Sequence, residues 1–340
     1  MSGASVLAAV VLLAGAAAAA FSNPWPSPAA LTAPQPPDPR FPALLQLFGN
    51  ATTLSYVATH GSYFDPAKAN RTVPQPGWRR APPALEANPA FGMHALTFVN
   101  DAEGRVLVAF RGTDVNATGA SGQADLCADY LLWHDHMSAP VRPAAFPPEL
   151  SFCPTFNAST LDYLTAARAL ASRVQAAFPR HQLMYTGHSL GAGLAMLMAA
   201  AAANATCGPP TAAGAVVFSS PELYWAVSRR LSVGPATGLD LSRFAVLADW
   251  ADPIYMAATA SQFGGLLGRV CEWRDPKPLA CELCNVTVEP PTLFCDACFA
   301  ERHIFKHYVE MIRAGRMPVC GAALRQGCPA ASLCPGEGSC

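Results

Sequence analysis

Apolar positions along this chain fall into two kinds of run, and their order predicts an α/β protein. Short continuous runs have the length and the β-branched or aromatic content of buried strands. They are Leu96-Thr97-Phe98-Val99, Val106-Leu107-Val108-Ala109-Phe110, Leu183-Met184-Tyr185-Thr186, Ala215-Val216-Val217-Phe218 and Arg243-Phe244-Ala245-Val246-Leu247. Other stretches repeat with helical spacing. Leu161, Leu164, Ala167, Leu170, Val174 and Phe178 form a stripe that predicts a helix over 159–178, capped by Ser159 or Thr160 and followed by Pro179. Residues 43–60 carry a weaker stripe, residues 192–203 are small, apolar and helix-forming, and a last helix follows residue 303. The first two strands are joined by a polar turn at 100–104 and read as a hairpin. Beyond it, helix, strand and helix alternate, which implies a mostly parallel sheet flanked by helices. Residues 64–89 and 115–154 show no such period and read as loops; the second is long enough to form a lid or binding wall.

Between the strand at 183–186 and the helix after it stands Gly187-His188-Ser189-Leu190-Gly191, a G-x-S-x-G. In a strand–turn–helix context this pattern describes a nucleophile elbow. The two glycines let strand and helix pass closely while Ser189 is lifted into a strained turn, with the Leu190 N–H facing the same space. The strand at 106–110 runs into Arg111-Gly112-Thr113-Asp114. There a glycine permits close backbone approach, and Thr113 offers an N–H and a hydroxyl to a developing oxyanion. The strand at 243–247 is followed by Asp249 and Asp252, acids on the same sheet edge as the elbow, with Asp252 the better candidate to orient a histidine. His303 and His307 head the last helix as candidate bases. Serine, acid and histidine occur in the chain order of α/β-hydrolases.

Composition narrows the compartment and the partners. Of 340 residues, 51% are hydrophobic and the net charge is −1, which supports a large core and gives no electrostatic footprint for nucleic acid. Residues 1–20 form an uncharged apolar run ending in alanines and read as a secretory signal peptide; no later run is long enough to cross a membrane. A Pro-rich arm follows at 21–42, then a domain over 43–316 with a Cys-rich insertion at 271–298, then a Cys-rich tail at 317–340. Six asparagines open N-x-S/T sequons (Asn50, Asn70, Asn116, Asn157, Asn204 and Asn285), which fits a glycosylated, secreted or lumenal protein. There are twelve cysteines, nine of them from residue 271 on. Cys281, Cys284, Cys295 and Cys298 have zinc-ribbon spacing, but a leader and sequons favour disulfides over metal. His134-Asp135-His136 has no third ligand placed by spacing, so no metal or cofactor is expected.

At these residues the chain resembles the class 3 lipases, the fungal triacylglycerol-lipase-like α/β-hydrolases. The resemblance rests on VLVAFRGTD at 106–114, YTGHSLGAGLA at 185–195, FSSP at 218–221, Asp252-Pro253 and a histidine heading the last helix, and it spans about 41–312. It implies an α/β-hydrolase fold and a secreted carboxylic ester hydrolase acting on acylglycerols through an acyl-enzyme, in transient contact with a lipid surface. Carried over residue by residue, it implies Ser189, Asp252 and His303 as the catalytic triad, and Thr113 with the Leu190 N–H as the oxyanion hole. His303 is preferred to His307 because it lies five residues before Tyr308. The chain departs from the family pattern at Glu222, where an arginine is usual, and in the polar start of the stretch at 115–154. A phospholipase A1 or feruloyl-type esterase is the alternative within this chemistry. A catalytically inactive secreted binding glycoprotein is the alternative outside it.

Overall fold

In the strand Arg105–Phe110 every side chain but the first is buried, and alternate side chains enter two different cores. Val106, Val108 and Phe110 point to one face, Leu107 and Ala109 to the other. A strand covered on both sides reads as an unbroken apolar run, which is why the sequence shows no polar alternation there. The computed structural model describes residues 41–57, 72–87, 89, 92–114, 119–133, 150–205, 213–221, 244–260, 266, 268–284 and 294–321. Within them eight strands form one sheet in chain order: β1 (Arg79–Arg80), β2 (Ala95–Asn100), β3 (Arg105–Phe110), β4 (Gln182–Gly187), β5 (Gly214–Phe218), β6 (Phe244–Asp249), β7 (Arg269–Trp273) and β8 (Val319–Cys320). β3 to β7 are parallel, and the pairs at the two ends are antiparallel. This is an α/β-hydrolase fold with a mostly parallel sheet flanked by helices.

One face of the sheet is covered by α4 (Tyr163–Ala177) and α5 (Leu190–Ala205). The stripe of Leu164, Ala167, Leu170 and Val174 packs there against the core with Leu194 and Leu197. The other face is covered by α1 (Phe41–Val57) and α9 (Phe305–Arg313), through Leu45, Phe48, Phe305 and Tyr308. The remaining helices are α2 (Ala120–Trp133), α3 (Ala158–Leu161), α6 (Pro253–Ala260), α7 (Leu279–Leu283) and α8 (Phe294–Cys298), and a π-helical turn, Phe299–His303, joins α8 to α9. No described helix is long and apolar enough to cross a membrane.

Several expectations need correction. The helix expected over 159–178 is two helices, because Asp162 leaves helical geometry and accepts from Thr165 N to cap α4, while Asn157 caps α3. The stretch 115–154, read as a loop, contains α2, whose inward acids mask its periodicity; residues 134–149, with His134-Asp135-His136, lie outside the described residues. The loop at 64–89 contributes β1 at the sheet edge. Cys271 belongs to β7 inside the sheet, and the sheet continues past residue 316 to β8. Among the described residues the cysteines form disulfides 127–153, 271–320, 281–298 and 284–295, so the two C-x-x-C pairs bond to each other.

At the junction of β4 and α5 the two glycines sit in crowded positions. A Cβ on Gly191 would stand 2.4 Å from Phe110 O and 2.7 Å from Arg111 O, and one on Gly187 would stand 2.3 Å from Gly191 O. These neighbours are backbone and cannot swing away. Gly191→Ala should therefore lower the unfolding free energy by at least about 2 kcal/mol, seen as an earlier midpoint in urea. An unchanged midpoint would mean that the strand–helix spacing is not what requires glycine.

Candidate active site

Ser189 has a φ of 56°, the left-handed region that non-glycine residues seldom occupy. Its N–H donates to Phe218 O at 3.1 Å and its carbonyl accepts from Gly193 N at 3.1 Å, so the turn is tied on both sides. The residue is 7% exposed. His303 Nε2 lies 2.9 Å from Ser189 Oγ, and the other ring nitrogen, Nδ1, lies 2.9 and 3.0 Å from the two oxygens of Asp252. Asp252 follows β6 at the start of α6, where its Oδ1 accepts from Ile254 N at 2.8 Å. With Nδ1–H donating to the carboxylate, Nε2 is left as the acceptor facing the serine hydroxyl.

Asp252 is fully buried. Burial alone would raise its carboxyl, but the His303 charge and hydrogen bonds from His303, Ser219 and Tyr308 outweigh that, and its pKa is held below the ordinary carboxylate value. Tyr308 donates to Oδ2 at 2.6 Å, and its oxygen accepts from Asp249 N at 3.1 Å. Ser219, also at positive φ, sits 3.2 Å from His303 Nδ1. The two candidates that sequence reading ranked second pair with each other: His307 Nε2 lies 2.7 Å from Asp249 Oδ2, which also accepts from Arg302 at 2.9 Å. Neither meets Ser189.

The loop after β3 is pinned by α2. Asp125 Oδ2 accepts from Arg111 Nη2 at 2.7 Å and from Asp114 N at 2.8 Å, and Tyr163 donates to Oδ1 at 2.6 Å. One helical turn on, Asp129 accepts from Thr113 Oγ1 at 2.5 Å and from Trp133 Nε1 at 3.2 Å. The Thr113 hydroxyl proton is thus directed at Asp129. Leu190 opens α5, where the first N–H groups have no acceptor within the helix. Sequence reading missed the inward-facing Asp125, the anchoring role of Asp129, and Ser219 and His188. Nothing local distinguishes them from ordinary polar residues, and only their burial reveals them. Among the described residues no group of acidic, Cys and His side chains is arranged to hold a metal ion.

The model of the class 3 lipase family matches residues 107–226. No curated protein matches the chain. Among solved structures the chain is similar to the Lip2 lipase from Yarrowia lipolytica, at 15% identity and a TM-score of 0.45, over 82% of this chain and 96% of that one. It is also similar to the triacylglyceride lipase of Rhizomucor miehei, at 15% identity and a TM-score of 0.42 over 72% and 84%. A third is the lipase from Rhizopus microsporus var. chinensis, at 17% identity and a TM-score of 0.41 over 76% and 84%.

Asp129 carries a pH signature. Burial, with Asp125 adding repulsion, pushes its carboxyl up from 3.8 to about 7, against the hydrogen bonds from Thr113 and Trp133. A raised acid binds its proton more tightly in the folded state, so folding loses stability as pH climbs from the unfolded value towards about 7, and levels off above it. Asp129→Asn removes this loss. Thermal melts of parent and variant from pH 4 to 8 should therefore show the difference moving in the variant's favour across that window. A constant difference would mean that folding does not raise the Asp129 carboxyl.

Proposed function

We propose that this chain, whose residues 107–226 belong to the class 3 lipase family, is a serine carboxylic ester hydrolase acting on acyl lipids, with acylglycerols as its first substrate class. The observation that carries the reading is the 2.9 Å approach of His303 Nε2 to Ser189 Oγ, with Asp252 behind the same ring. Serine at its free pKa is a weak nucleophile, so a base must take its proton as it attacks.

In this reading Ser189 Oγ adds to the ester carbonyl carbon while His303 Nε2 accepts the hydroxyl proton. The carbonyl oxygen becomes an oxyanion facing the N–H groups of Leu190 and Thr113, each worth about 3 kcal/mol in other serine hydrolases. Collapse breaks the ester C–O bond, and His303 returns the proton to the departing alcohol. Water then attacks the acyl-enzyme by the same route, His303 takes its proton and returns it to Ser189, and the fatty acid leaves. Asp252 keeps the imidazole in the tautomer that can accept, and stabilises the imidazolium that forms in each half. Hydrogen bonds from Tyr308 and Ser219 favour the ionised carboxylate this requires.

The disulfides among the described residues support a chain matured in an oxidising, secretory compartment. Two of the sequons differ in availability. Asn157 is exposed and can carry a glycan, whereas the Asn50 amide is engaged by Pro74 O at 2.8 Å within α1.

Ser189→Ala and His303→Ala should each lower turnover of a soluble ester at least about a thousandfold and abolish labelling by a fluorophosphonate probe. His307→Gln should stay near the parent rate. Undiminished hydrolysis in Ser189→Ala would end the reading, and a collapse in His307→Gln alone would reassign the base. A panel of triglyceride emulsions, phospholipid vesicles, feruloyl esters and short soluble esters then fixes the substrate. No labelling of folded parent protein would favour the inactive binding glycoprotein.

A further inference from the structure

The elbow residue just before the serine, His188, takes no part in the chemistry above, yet it is 3% exposed and lies against the back of the proposed base. Its ring centroid is 4.6 Å from that of His303, and Phe305 and Tyr308 of α9 close around it at 5.1 and 5.6 Å. The Tyr56 hydroxyl, delivered by α1 and itself buried, lies 2.9 Å from His188 Nδ1. That same hydroxyl sits in the oxyanion loop: a Cβ on Gly112 would stand 2.2 Å from Tyr56 Oη and 2.4 Å from His188 O, and the Gly112 backbone N–H donates to the Tyr56 oxygen.

The donors can be assigned in order. With the Tyr56 oxygen accepting from Gly112, the arrangement in which the phenol donates to His188 Nδ1 uses both its acceptor and its donor capacity. The His188 proton is then on Nε2, which reaches no acceptor at full hydrogen-bond geometry, and the His303 main chain interacts with the His188 side chain. We infer that Tyr56 and His188 are a positioning pair, which ties the oxyanion loop at Gly112 to the backbone and ring of His303 so that oxyanion donors and base hold one fixed relation. This rests on the ester-hydrolase reading for its kinetic meaning, but not for its geometry.

The pair must stay uncharged to work. His303 becomes an imidazolium in each half-reaction, and a second cation against its face would oppose that step. Burial, and then the charge of His303, push His188 well below its ordinary value, with only Asp252 and the His303 main chain acting the other way. Burial likewise raises Tyr56, with Arg111 opposing and Asp125 and Asp114 assisting, so the phenol stays protonated. Tyr56 also stacks on Phe305 at 5.8 Å and 18°, a contact that a phenylalanine would keep.

The test uses Tyr56→Phe, His188→Asn, which keeps an acceptor near Nδ1 but loses the ring, and the double variant, each rated per fluorophosphonate-titrated site. Tyr56→Phe should fold and lose about tenfold in kcat with KM within about twofold, because a misplaced oxyanion donor is felt only in the transition state. The double variant should lose less than the product of the two single losses. Full kcat per site in Tyr56→Phe, or losses that multiply, would overturn the pairing. A second measurement stands apart from turnover: nitrogen-15 spectra of the imidazoles in Ser189→Ala at pH 7 should show His188 protonated on Nε2, and Tyr56→Phe should mix the tautomers. A proton on Nδ1 in Ser189→Ala overturns the inference even if the parent is a good esterase. An unlabelled, inactive parent with His188 on Nε2 would instead sink the esterase reading and leave the strut standing.

Discussion

Backbone meets backbone with no room for a side chain where the first turn of α5 passes the end of β3. Gly191 approaches Phe110 O and Arg111 O so closely that no side chain fits between them. That approach lifts Ser189 into positive φ and brings the loop 111–114 to its side. His303, whose Nε2 lies 2.9 Å from Ser189 Oγ, comes to the same serine from the turn before α9. Every other arrangement around the serine is built on that crossing.

Polar groups that would be costly in a hydrophobic interior hold the loop in place. Asp125 is satisfied by Arg111, Tyr163 and the Asp114 N–H, a buried ion pair whose partners are fully used. Asp129 has no cation and two neutral donors, so it tolerates burial by holding its proton more tightly. The two acids lie one helical turn apart on α2 and meet successive residues of the same loop. The helix that looks in sequence like part of a surface loop therefore anchors the loop at 111–114.

Much of the architecture can be read from the chain. The runs that form β2 to β6 are continuous apolar segments, and only burial on both faces explains them. The stripe from Leu161 to Val174 and the G-x-S-x-G between strand and helix were equally legible, and Ser189, Asp252 and His303 lie within hydrogen-bonding reach in one line. What could not be read shares a cause. α2 carries its acids inward, so its pattern violates amphipathicity. β1 and β8 are two residues long, and β7 has its Cys271 in a segment whose cysteines suggest an insertion. The break at Asp162 turns on one side chain choosing the backbone of α4 over continuing the helix. Ser219 meets His303, and His188 lies against the same ring, only because the fold brings distant parts of the chain together, which no local pattern encodes.

The cross-links have a consequence for how the molecule is assembled. Ser189, its elbow and the loop at 111–114 are made early in the chain, on β3, β4 and α5. His303 comes from the last stretch, immediately after α8, whose Cys295 and Cys298 are bonded back to α7, while Cys320 closes onto β7 beside the strand that ends near Asp252. A polypeptide released at about residue 290 would own a complete serine turn and no partner for it. Synthesis thus forms the serine turn first, and the imidazole that comes within hydrogen-bonding reach of it arrives last, just after a segment held by two disulfides.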